Sequence, residues 1–167
     1  MPAEKESPFA ILPKRLCKCF FGKKEEEIRI LAENEIVNIY GYVRGIVINK
    51  TNNPTATVKI LEAKDNISLQ WVIIEDISSM TTLNVSGCST LDDIVCKQTK
   101  NIASLNISGC PNLKTLICEG TKLTTLNLKG FKNLIHLSCD SNSNLTSLNI
   151  EGCTSLNYLS SVGTKFS

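Results

Sequence analysis

Leu83-Asn84-Val85-Ser86-Gly87-Cys88 is followed by three close copies of itself: Leu105-Asn106-Ile107-Ser108-Gly109-Cys110, Leu126-Asn127-Leu128-Lys129-Gly130-Phe131 and Leu148-Asn149-Ile150-Glu151-Gly152-Cys153. Successive copies start 22, 21 and 22 residues apart. A second phrase alternates with the first: Leu91-x-x-Ile94-x-Cys96, Leu113-x-x-Leu116-x-Cys118, Leu134-x-x-Leu137-x-Cys139 and Leu156-x-x-Leu159-x-Ser161. A fixed period in the low twenties marks a chain wound into stacked coils, each unable to bury its apolar side alone.

Each period divides into two six-residue units about eleven residues apart, starting at Met80, Leu91, Ile102, Leu113, Leu123, Leu134, Leu145 and Leu156. The first, fourth and sixth residues of a unit are aliphatic or Cys, so they are expected to point inward and the second, third and fifth outward. One coil is then one pair of units, with a short strand on each of two sides. Gly87, Gly109, Gly130 and Gly152 fall at the bend between the two, where a left-handed backbone is expected.

The outward residues distinguish the two sides. On the first they hardly vary: Thr81, Thr82, Asn84; Ala103, Ser104, Asn106; Thr124, Thr125, Asn127; Thr146, Ser147, Asn149. Small hydroxyls and a column of Asn suit a parallel ladder whose side chains bond to neighbours above and below. On the second they differ each time: Asp92, Asp93, Val95; Lys114, Thr115, Ile117; Ile135, His136, Ser138; Asn157, Tyr158, Ser160. Val95, Ile117, Ile135 and Tyr158 exposed together, rimmed with charge, have the character of a partner site. The candidate partner-binding residues are Asp92, Asp93, Val95, Lys114, Ile117, Ile135, His136, Asn157 and Tyr158.

The flanks read differently. Residues 1–27 carry Pro2, Pro8 and Pro13 and a charged run at 23–27, the composition of a disordered basic and charged tail. Within it Lys14, Arg15, Lys18, Lys23 and Lys24 interleave with Cys17, Cys19, Phe20 and Phe21, a composition that would hold an anionic membrane, more firmly with an acylated cysteine. Glu25 to Glu33 fits a short helix. Residues 28–78 contain short β-rich runs separated by turn residues and are expected to form an N-terminal cap on the solenoid of 79–167, with Trp71 plugging the first coil. The chain stops where another strand is due at Phe166, so the solenoid is expected to be truncated at its C-terminus.

Composition narrows the function. A net charge of +2 gives no electrostatic case for nucleic acid. No apolar run reaches the length of a membrane span, and no signal peptide is seen at the N-terminus, which points to an intracellular protein if Met1 is the true start. The cysteines of the repeat share two positions whose side chains would lie parallel, which suits buried thiols better than disulfides. His136, the single histidine, has no nucleophile paired with it by a known motif, and Asp92 and Asp93, adjacent along the chain, are not expected to share a proton or a metal. No catalytic, cofactor-binding or metal-binding residues are therefore assigned, and no cofactor is expected.

Phrases such as Leu123-Thr-Thr-Leu-Asn-Leu-Lys-Gly-Phe-Lys-Asn-Leu134 and Leu134-Ile-His-Leu-Ser-Cys-Asp-Ser-Asn142 resemble the leucine-rich repeats of bacterial surface and secreted proteins. The resemblance covers Met80 to Phe166, about half the chain. Asn stands where those repeats have Asp after the key Leu, and Thr99 and Thr121 stand where they have Asn, leaving only Asn142. The resemblance implies a mostly β leucine-rich-repeat solenoid of about four coils of 21–22 residues. It also implies a non-catalytic protein-interaction module with a protein partner. The alternative is a membrane-tethered structural or adhesion protein anchored through the Cys17 and Cys19 tail.

Overall fold

The computed structural model describes residues 19–21, 27–30, 36–50 and 57–165, with side chains placed in the last two segments. Fourteen short strands make up the regular structure of these residues, and no helix occurs among them. They are β1 (Cys19–Phe21), β2 (Glu27–Ile30), β3 (Ile36–Asn38), β4 (Gly45–Asn49), β5 (Ile60–Glu62), β6 (Trp71–Glu75) and β7 (Thr82–Asn84). The rest are β8 (Asp93–Lys97), β9 (Ser104–Asn106), β10 (Thr115–Glu119), β11 (Thr125–Asn127), β12 (His136–Ser138), β13 (Ser147–Asn149) and β14 (Tyr158–Ser160).

The chain is a β-solenoid. β1 and the seven even-numbered strands form one eight-stranded sheet in the order β1-β2-β4-β6-β8-β10-β12-β14, with only the β1–β2 pair antiparallel. The other odd-numbered strands form the opposite wall, as a four-stranded sheet β3-β5-β7-β9 and a separate pair β11-β13. The five steps from β4 to β14 are about five turns of the coil. Leu83 lies opposite Leu105 and Ile94 opposite Leu116, so equivalent repeat residues stack in register.

Alternation within each unit explains the core. Leu83, Val85, Leu91, Ile94, Leu113, Leu116, Leu128, Leu134 and Leu137 are each 0% exposed, and Leu126 is 5%. Burying each such side chain is worth on the order of 2 kcal/mol, and with strands of only three to five residues and no helix among the described residues this inner column is what holds the coils together. Inward side chains are less covered in the last coil, where Leu159 is 44% exposed. All six cysteines from Cys88 to Cys153 are free thiols, five of them buried. Cys88, Cys110 and Cys153 each donate Sγ–H to a carbonyl one coil earlier, on Ala63, Val85 and Leu128 respectively.

Several sequence expectations are corrected. Residues 27–30 are a strand, pairing in parallel with β4, and not part of a helix. Residues 36–50 and 57–77 are further coils in register with the repeat, which raises the coil count from four to about five. Their spacing carries this: Val58, Leu61, Leu69 and Val72 sit 22 residues before Met80, Leu83, Leu91 and Ile94 and are equally buried. Trp71 plugs nothing. Its register position faces outward, and its indole lies over Gly45, in the space a β-carbon there would take.

The Asn column also behaves otherwise. Asn84, Asn106, Asn127 and Asn149 each accept, through Oδ1, the N–H two residues on. They close the bend into the left-handed glycine, whose φ is +75°, +73°, +81° and +77° at Gly87, Gly109, Gly130 and Gly152. The amide side chain therefore shapes its own turn in place of building a ladder. The basic tail with Cys17 and the Cys19 side chain, and the strand expected at Phe166, lie outside the described residues.

Candidate functional site

The outer face of the eight-stranded sheet carries all nine candidate residues. Its register sorts them into columns one strand spacing apart. One column runs Gly45, Trp71, Asp93, Thr115, His136, Tyr158, and the next Val47, Ile73, Val95, Ile117, Ser138, Ser160. A third begins Asn49, Glu75, Lys97, Glu119, the last three alternating in charge. On the other flank Lys114 N–H donates to Asp92 O, Ile135 N–H to Lys114 O and Asn157 N–H to Ile135 O, aligning the remaining four candidates.

Val95 and Ile117 are direct neighbours, as the sequence suggests, whereas Ile135 and Tyr158 stand in two other columns. Val47, Ile73 and Trp71 were not anticipated. They extend the apolar column to four consecutive strands, Val47 to Ile117, about 14 Å at the usual strand spacing. The signal for them was the period carried back into residues 45–75, where Val and Ile replace Leu. These aliphatic side chains are half-buried because each leans on the next, while Ile135 is 45% and Tyr158 50% exposed.

The polar groups around the column are mostly engaged. Lys114 Nζ lies 3.2 Å from Asp92 Oδ1. His136 and Tyr158 stack at 4.3 Å between ring centroids with 11° between planes. Ser138 Oγ–H donates to Glu119 at 2.7 Å, and Ser160 Oγ–H to Asp140 at 2.6 Å. Among the described residues no three His, Cys, Asp or Glu side chains converge as metal ligands would.

Of the buried thiols, Cys96, Cys118 and Cys139 lie beneath this face, and Cys88 and Cys110 lie at the bend that follows β7 and β9. Burial pushes Cys96 up to about 12 and Cys110 and Cys139 to about 11. Burial also raises Cys118 well above its ordinary value, with the neighbouring Cys139 adding to it. A thiol held protonated is a poor nucleophile and a poor metal ligand, so these side chains act as small apolar groups.

Fold and site together define a parallel β-solenoid with one apolar-centred outer face. Comparison of the chain with protein-family models, with curated proteins and with solved structures finds no match.

Proposed function

We propose that this chain is a leucine-rich-repeat solenoid acting as a non-catalytic protein-interaction module, whose partner surface is the outer face of the eight-stranded sheet. The observation that carries the reading is the unbroken column Val47, Ile73, Val95, Ile117, beside Trp71 and the stacked His136 and Tyr158. A wall that only needs to dissolve gains nothing from aliphatic side chains at four successive coils. From β7 onward the opposite wall meets the same geometric demands with Thr, Ser and Asn, after Ile36 and Ile60 in its first two strands. Aliphatic and aromatic groups at the centre with charged groups at the flanks are the anatomy of a protein interface.

The test is site-specific photocrosslinking in the native host. A photoreactive residue at Ile117 is expected to trap a discrete protein partner, and the same residue at Ser147, exposed on β13 of the opposite wall, is expected to trap none. Charge reversal at Lys114 combined with Tyr158→Ala is expected to abolish the adduct while thermal unfolding stays unchanged. Equal adducts from both walls, or an adduct indifferent to the double variant, would remove this face from consideration. The membrane-tethered alternative rests on Cys17 and Cys19, and fractionating the chain with and without residues 1–27 decides it.

A further inference from the structure

The wall opposite the proposed partner face is split. β7 pairs with β9 and β11 with β13, but β9 and β11 belong to different sheets. No Cα of β9 comes within 8 Å of a Cα of β11, where paired strands stand about 4.8 Å apart. The gap exceeds a single spacing, and it opens as a wedge from the end just before β9, where Lys122 N–H still donates to Ile102 O at 2.8 Å. It forms a cleft of about 490 Å³, lined on one side by Leu105 to Gly109 and on the other by Thr125, Leu126, Asn127 and Lys129, with Phe131 at one end.

The steps on either side show which groups the split leaves free. One coil earlier, Val85 N–H donates to Asn106 O at 2.9 Å and Gly87 N–H to Ser108 O at 2.8 Å. One coil later, Leu128 N–H donates to Asn149 O and Gly130 N–H to Glu151 O, both at 2.7 Å. At the split itself the corresponding donors, Ile107 and Gly109 N–H, and acceptors, Asn127 and Lys129 C=O, make none of these bonds. The glycine stack breaks too: a β-carbon on Gly109 would meet the Gly87 backbone at 3.2 Å and one on Gly152 the Gly130 backbone at 3.4 Å, but one on Gly130 meets nothing within 4 Å.

Two departures from the repeat fall in the coil that separates. Phe131 occupies the slot held by Cys88, Cys110 and Cys153 in the neighbouring coils, where the thiol ties each coil to the carbonyl before it. A phenyl ring offers no such bond and is too large for the slot. The turn over 119–122 is also one residue shorter than its counterparts, which sets the 21-residue spacing. On the other wall β10 and β12 remain paired, so the coil opens on one side only.

We propose that this seam is a peptide-binding site that accepts one extended segment of another polypeptide as an inserted strand between β9 and β11. Both edges offer main-chain donors and acceptors in sheet register, and an extended peptide backbone is the ligand that satisfies both edges at once. The flanking strands, Ser104-Leu105-Asn106 and Thr125-Leu126-Asn127, set the pattern for the guest. Its central side chain faces Leu105 and Leu126 and is aliphatic, and those on either side face solvent and are polar. This site lies on the wall away from the proposed partner face and stands independently of it.

The experiment uses the isotope-labelled full chain and the synthetic hexapeptide Leu-Thr-Ser-Leu-Asn-Ile, the sequence of residues 145–150. In the free protein the Ile107 and Gly109 amides are expected to exchange with solvent at least tenfold faster than those of Val85 and Gly87. Adding peptide slows them and shifts their resonances saturably, and N-methylation of the central Ser-Leu-Asn amides weakens binding at least tenfold. Phe131→Cys, which restores the repeat residue, is expected to protect the same amides without peptide and to abolish binding. Three results would overturn the proposal: slow exchange at Ile107 and Gly109 in the free protein, no resonance shifts at about 1 mM peptide, or binding indifferent to N-methylation.

Discussion

Replacing Asn142 with Ala is the most informative single perturbation of this fold. The side chain is fully buried and uses its whole hydrogen-bonding capacity between two coils. Nδ2 donates to Cys118 O at 2.6 Å and to Cys139 O at 3.0 Å. Oδ1 accepts from Thr121 N–H at 2.6 Å and from Thr121 Oγ–H at 2.7 Å. Truncation strands four buried polar groups at once. At about 1 kcal/mol net for each, the loss is about 4 kcal/mol, reduced toward 3 if a water enters the space vacated by the amide. For a domain of this size that is about a 10 °C fall in Tm. Asn142→Asp separates the two halves of the amide, because a carboxylate keeps the acceptor role while facing two carbonyl oxygens with no proton to give. It is expected to be as damaging as Ala at pH 7 and less so below about pH 4, where the carboxyl regains a donor. Urea unfolding followed by far-UV circular dichroism measures the difference, with Trp71 fluorescence reporting whether the distant coils melt together. A loss under about 1 kcal/mol for the Ala variant would refute the claim that this side chain staples the coils.

Three further outcomes follow from the same geometry. Below pH 9 the Cys96 thiol is protonated in folded and unfolded chains alike; between its ordinary value of 9.0 and about 12 only the unfolded chain ionises it. Stability should therefore fall as pH rises through this window, by up to ~4 kcal/mol from this residue, and Cys96→Ala should flatten the fall in urea titrations between pH 8 and 11. Thr99 Oγ1 is buried without a hydrogen-bond partner, so Thr99→Val should be neutral or stabilising by about 1 kcal/mol, read as a rise in the urea midpoint at constant slope. Gly109→Ala and Gly130→Ala both place a β-carbon on a left-handed backbone, but only the first meets another backbone at 3.2 Å. The expected losses are about 2 and about 1 kcal/mol, and equal losses would mean that the two coils are equally close.

The repeat was legible from Met80 onward because its inward residues are nearly all Leu, Ile or Cys and its bends nearly all Asn-x-x-Gly. The coil before it obeys the same physics with different residues. In Leu61-Glu62-Ala63-Lys64-Asp65-Asn66 the inward positions are Leu and Ala, both fully buried. Asp65 takes the place of glycine, with φ at +54°. Asn66 fills the cysteine slot, donating to Gly41 O and accepting from Ser68 and Leu69 N–H. A coil asks only for small or aliphatic volume inside, a residue tolerant of the left-handed bend, and partners for the buried polar groups. Matching letters against the later copies finds one solution and passes over another. The same limit hid Val47, Ile73 and Trp71 from the candidate face.

Outward polar residues were the least readable part, for a related reason. A period fixes which side a residue faces but not which of several equivalent partners a short polar side chain takes. Asn84 and its three counterparts could bond along the stack or back to their own turn. The turn wins because its N–H sits two residues away on the same chain and needs no second coil to arrive first. Asn142, one residue type and one bend apart, does reach between coils, because it is buried where two carbonyls and the N–H and hydroxyl of Thr121 converge. The most informative signals were therefore the breaks in the pattern. One missing residue and one Cys-to-Phe exchange in the same coil mark where the wall comes apart, and they do so because a stack of identical coils has no geometric slack to absorb either change without opening a side.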